Sequence, residues 1–121
     1  MRTLSTQFRS DILHDTAGGD DDLVDELLAI YLRIVPPMNG RLRAAVVAKH
    51  TAAMAEEAHS LRSCLAVVGA NGLQERCKAL ENAARRGIAP PDGTGTGLCD
   101  DVDVLTSQVY DYQASRPLRG G

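Results

Sequence analysis

Three histidines and three cysteines are the side chains of this chain best suited to nucleophilic, metal-binding or proton-transfer chemistry near neutral pH. The histidines are His14, His50 and His59; the cysteines are Cys64, Cys77 and Cys99. No histidine has a second ligand at i+3 or i+4, so no zinc site is written in the spacing. The cysteines form no CxxC pair, and an odd number without a secretory leader fits a reduced chain with thiols in or near the core. His50 precedes a helical segment and His14 lies near a helix end, so both are expected to be solvated. His59 is different. It sits in "EEAHSLRSCLAVVGA", Glu56 to Ala70, with Arg62 and Ser63 at i+3 and i+4 and alanines on either side. An imidazole beside a guanidinium, free of bulky neighbours, can attack an electrophile and stabilise negative charge on the group it receives.

The elements that must position it are helical. Aromatics are 3% and Trp is absent, so the core is built from Leu, Val, Ile, Met and Ala, a palette that favours helices. A short helix is predicted around Ser5 to His14, with Phe8 and Ile12 one turn apart. "AGGDDD" ends it, and a second helix starts near Asp21, with Leu23, Leu27, Ile30, Tyr31 and Ile34 as its stripe. Pro36–Pro37 remove two backbone donors, which predicts a kink, after which the pattern resumes through Leu42 and Val46. The third segment, Ala52 to Val68, carries Met54, Ala58, Leu61, Leu65 and Val68 on one face; Thr51 is its expected N-cap. Asn71 is expected to cap a fourth helix to about Arg86, with Leu73, Cys77, Leu80 and Ala84 buried. "IAPPDGTGTG", Ile88 to Gly97, reads as a loop, and its "GTGTG" lacks the Lys-Ser/Thr of a phosphate-binding loop. A last helix follows with Leu98, Val102, Leu105, Val109 and Tyr112. The expected fold is all-α: an antiparallel four-helix bundle with a short additional N-terminal helix and a long first bundle helix kinked at Pro36–Pro37. One domain is expected over 1–121, with the bundle at about 21–113, the short helix and turn in 1–20, and a flexible tail at 114–121.

On a wheel of about 100° per residue, Met54, Ala58, Leu65 and Val68 fall within roughly 60° of Leu61, and His59 lies about 160° away. The ring is therefore expected to face outward, with Ala55 and Ala66 on the same face and Ser63 and Arg62 beside it. On the fourth helix, Gln74, Lys78, Glu81 and Arg85 share one polar flank. An antiparallel pairing of the two helices can set that flank beside His59, where Glu81 or a neighbouring residue can accept from a ring nitrogen. Ala55, Ser63, Ala66, Gln74, Lys78, Glu81 and Arg85 are accordingly the expected docking residues around His59 and Arg62.

The segment "AHSLRSCLAVVGANGLQERCKALE", Ala58 to Glu81, resembles the signature of histidine-containing phosphotransfer (HPt) domains. The matching residues are Ala58, His59, Leu61, Arg62, Ser63, Gly69, Ala70, Leu73, Leu80 and Glu81. "LLAIYLRIVPPMNGRLRAAV" and "GGDDDLVDELL" resemble the family's first bundle helix and its lead-in, so the likeness covers about residues 8 to 87. Two positions depart from the pattern: Arg62 stands for the usual Lys, and Ser63 for the usual Gly. The resemblance implies a phosphocarrier without autokinase activity. His59 would accept a phosphoryl group at Nε2 from a receiver-domain aspartate and pass it to a second receiver, and Arg62 would steady its charge. The implied partners are response-regulator receiver domains and a hybrid sensor histidine kinase. The chain needs no cofactor or metal of its own, since Mg²⁺ belongs to the receiver, and a monomer is implied.

Composition sets the outer bounds. A formal charge of −3 and a pI near 5.5, with basic residues dispersed, argue against nucleic acid. No apolar run approaches the ~18 residues of a membrane span, and "MRTLSTQFRSD" lacks a secretory core, so a cytoplasmic location is expected. Two other readings fit part of the pattern. One is a helical adaptor that docks receiver domains or other partners without carrying phosphate. The other is a dimerising kinase fragment, disfavoured because Ser60 rather than an acidic residue follows His59 and no ATP-binding motif is present.

Overall fold

The computed structural model describes residues 7–117. Five helices follow one another: α1 Ser10–Thr16, α2 Asp21–Val47, α3 Thr51–Val67, α4 Asn71–Arg85 and α5 Thr94–Ser115. Among the described residues there is no strand. Three-residue turns join α2 to α3 and α3 to α4, which forces those neighbours antiparallel. Helices α2 to α5 form the bundle, and α1 closes one end by packing on α2 and α3. The all-α bundle with an added short helix is therefore the fold that the hydrophobic pattern predicts. The predicted start of α1 at Ser5 lies partly outside the described residues; within them the helix begins at Ser10.

Local chemistry accounts for the boundaries. The Asp20 carboxylate accepts from the backbone N–H of Asp22 and Leu23 and so caps α2. Helix α3 is capped by His50, whose Nδ1 accepts from Ala53 N at 3.2 Å, rather than by Thr51, which is already its first residue. Asn71 is likewise the first residue of α4 and not its cap. Gly69 adopts φ +73° in the α3–α4 turn, and a Cβ there would lie 2.6 Å from the Arg9 Cβ. This close approach lets α1 dock on the turn, where Arg9 N donates to Val68 O at 2.8 Å.

Helix α2 runs unbroken through Pro36 and Pro37 as one long helix. Pro37 is exposed and Pro36 half-buried, so the carbonyls that lose their donors lie toward water. The buried stripe of α2 is Val24, Leu28, Tyr31, Val35, Met38, Leu42 and Ala45. This is a rotation of about one residue from the expected stripe: Leu23 is 36% exposed, and Leu27 and Ile34 are only partly buried. Apolar residues lie on both sides of this helix, so periodicity alone does not choose between them. Contacts with α1, α3 and α5 do.

Helix α5 starts four residues earlier than Leu98, inside the glycine-rich stretch expected to be a loop. Gly95 is buried there against Val46, with a hypothetical Cβ 2.6 Å from Val46 Cγ1. Glycine at this position thus permits helix packing rather than breaking the helix. Buried polar contacts fix α2 against α5. Asn39 Nδ2 donates to Cys99 O at 3.0 Å and to Asp103 Oδ1 at 2.9 Å, and the Tyr31 hydroxyl meets Thr106 Oγ1 at 3.2 Å. At the C-terminal end, α5 continues to Ser115, and Arg116 pairs with Asp25 on α2 with its side chain 11% exposed. The expected free tail at 114–121 is thus anchored as far as Arg116, while 118–121 lie outside the described residues.

Candidate functional site

Helices α3 and α4 pack side by side along their length, and His59 stands at their seam. Met54, Ala58, Leu61 and Leu65 point the other face of α3 into the core with almost no exposure. That burial fixes the rotation of the helix and leaves the His59 side chain 63% exposed. Leu73, Cys77, Leu80 and Ala84 do the same for α4. Burial pushes the Cys77 thiol up to about 12, so it is a packing residue and not a nucleophile.

Glu81 of α4 organises the cluster. Its Oε2 accepts from His59 Nδ1 at 2.9 Å and from Arg85 Nε and Nη2 at 2.9 and 2.7 Å. Its Oε1 accepts from Arg62 Nη1 at 2.8 Å. The Glu81 side chain is only 6% exposed. Burial raises the carboxyl, but the hydrogen bonds from Arg62, Arg85 and His59 outweigh it and hold the group at about 2. Glu81 is therefore ionised at neutral pH and can only accept.

This fixes the imidazole. Nδ1 must carry the hydrogen that Glu81 receives, so in the neutral ring the lone pair is on Nε2. Two guanidiniums against one carboxylate leave one net positive charge around the ring. His59, Arg62, Ser63, Ala66 and Gln74 line an open concavity of about 370 Å³. An exposed nucleophilic nitrogen, a net cation and an open hollow together suit the transfer of a small anionic group.

Of the residues expected around His59, Arg62, Ser63, Ala66, Gln74, Glu81 and Arg85 are gathered at this seam. Two of the docking residues need correction. Ala55 is 3% exposed, so it does not face outward beside the ring as expected but lies at the floor of a shallow hollow between α3 and α4. Glu81 is buried by its own partners and acts from beneath the ring. Lys78 is exposed and makes no ion pair among the described residues. The sequence did not single out Ala52 and Glu56, which line this second shallow hollow with Thr51, Ala55, Ala84, Arg85 and Gly87. Their offsets of seven and three residues before His59 are the signal that places them on its face. His14 is not free in solvent: its Nε2 meets the Tyr112 hydroxyl at 2.7 Å and ties α1 to α5. Among the described residues, no three His, Cys, Asp or Glu side chains converge as a metal site, and no helix is long and apolar enough to cross a membrane.

A protein-family model described as Hpt domain matches residues 26–111. Among solved structures, the crystal structure of histidine-containing phosphotransfer protein B (HptB) from Pseudomonas aeruginosa PAO1 is similar, with a TM-score of 0.73. That alignment covers 92% of this chain and 97% of that one at 21% sequence identity, a likeness of fold. No curated protein sequence matches the chain.

Proposed function

The chain belongs to the Hpt domain family of histidine phosphotransfer proteins in two-component signalling, and from that premise we propose that it is a phosphorelay intermediate with His59 as the phosphoacceptor. The observation that carries this reading is the hydrogen bond from His59 Nδ1 to the ionised Glu81, which in the neutral ring puts the lone pair on Nε2 of an exposed side chain.

The donor is an aspartyl phosphate on a receiver domain, which brings its own Mg²⁺. Nε2 attacks phosphorus in line; the N–P bond forms as the P–O bond to the aspartate breaks, and the carboxylate leaves with the electron pair. No proton has to move, because the only ring hydrogen stays on Nδ1. The ring gains positive charge as Nε2 is phosphorylated, and Glu81 lies 2.9 Å from Nδ1 to balance it. Arg62 keeps guanidinium donors beyond the one given to Glu81 and is 30% exposed, so it can meet the phosphoryl oxygens. Passing the group to a second receiver reverses the same bonds. Receiver domains and a hybrid sensor kinase are the proposed partners, in the cytoplasm. The chain acts as a monomeric carrier without autokinase activity or a cofactor of its own.

The test is incubation with phosphorylated receiver domains and Mg²⁺. Acid-labile, alkali-stable label is expected on the wild-type chain and none on His59→Gln. Label that survives in that variant refutes the assignment of His59. Binding without label across several receivers favours the adaptor reading.

A further inference from the structure

Ser63 is the departure from the family pattern nearest the reacting ring. It lies four residues after His59 on α3, exposed, and lines the same concavity as His59 and Arg62. Side chains at this spacing are neighbours on a helix surface, about 5–6 Å apart at Cβ. Helical hydroxyls commonly turn back onto their own helix, as Thr16 does to Ile12 O at 2.9 Å and Ser107 to Asp103 O at 3.2 Å. The Ser63 hydroxyl makes no such bond and has no other partner among the described residues. It is an unspent donor lining the same hollow as the His59 ring.

We propose that the Ser63 hydroxyl donates to an oxygen of the phosphoryl group carried on His59, beside Arg62, and so holds the group on this chain more firmly than a glycine at that position can. This rests on His59 as the phosphoacceptor. The alternative is that Ser63 only narrows the space for an incoming receiver. The two differ in what they change. Clearance alters how fast the partners meet, and it scales forward and reverse transfer alike. A bond to the carried group persists after the receiver has left, so it alters the equilibrium partition of phosphoryl between the two proteins.

The experiment measures that partition, approached from both directions, for the wild type, Ser63→Ala and Ser63→Gly with a receiver domain that labels the wild type. Both variants are expected to move it about threefold to tenfold toward the receiver, the range for the net worth of one ordinary hydrogen bond, since water competes for the phosphoryl oxygens at this exposed site. Alanine and glycine shift helix stability in opposite directions relative to serine. A fold-mediated effect would therefore separate the two variants, whereas loss of the hydroxyl makes them agree. An unmoved partition in both variants, with label on His59 intact, overturns the role of Ser63 alone. Absence of label on the wild type from every receiver and from phosphoramidate, a direct donor to imidazoles, overturns the His59 reading and this one with it.

Discussion

Replacing Glu81 by glutamine keeps the shape of the side chain and removes its charge. In the wild type the carboxyl is held at about 2 against an ordinary value of 4.5. Taken at face value, that difference is worth about 3 kcal/mol of stability. Arg62 and Arg85 are 30% and 54% exposed, so water screens part of their field, and about 2 kcal/mol is the better figure. The sign follows from the direction: the folded state lowers the pKa, so the stabilisation is complete above about 4.5 and disappears as pH falls toward about 2. Urea unfolding of wild type and Glu81→Gln is expected to differ by about 2 kcal/mol at pH 7. The two curves should converge between pH 4.5 and 2. Subtracting the variant removes the titration of the other carboxylates. Nitrogen NMR of the neutral His59 ring supplies a second readout: the wild type is expected to carry its hydrogen on Nδ1, and the variant to shift toward the Nε2 form. A stability difference that is constant from pH 2 to 7, or a ring already protonated at Nε2 in the wild type, refutes the role given to Glu81.

Two further outcomes follow from other contacts. Arg62→Ala should slow transfer to His59 about tenfold or more in a receiver assay, while thermal unfolding shows a loss of only about 1 kcal/mol, the share of one partly exposed charged hydrogen bond. Gly95→Ala should destabilise the fold by about 1–3 kcal/mol in urea, despite alanine's better helix propensity, because the new Cβ meets the branched Val46 side chain at 2.6 and 2.9 Å.

The outward face of His59 was readable because the large side chains Met54, Leu61 and Leu65 share one face of α3, and one rotation buries all three. The stripe of α4 was readable for the same reason. In α2, by contrast, Leu23, Leu27 and Ile34 compete with Val24, Leu28 and Val35, and only packing against three other helices decides which set is covered. Ala55 sits on the flank of α3 where the separation of two backbones, not local pattern, sets exposure. The early start of α5 was hidden by "GTGTG", whose composition signals a loop while Gly95 serves a close helix contact. Glu81 could be named as an acceptor from its flank. Its burial and its two guanidinium partners depend on how α3 and α4 meet, which no single helix records.

The cluster around His59 is also local in the chain. His59 and Glu81 are 22 residues apart, joined through the tight turn at Gly69. The polar contacts that hold α5 to α1 and α2 span far more: 60 residues for Asn39 to Cys99, 75 for Tyr31 to Thr106, and 98 for His14 to Tyr112. Closing a short loop costs less entropy than closing a long one, and low contact order speeds assembly. The α3–α4 hairpin is thus the part of the molecule that can nucleate early in folding. The docking of α5 on α1 and α2 closes the longer loops and so comes later.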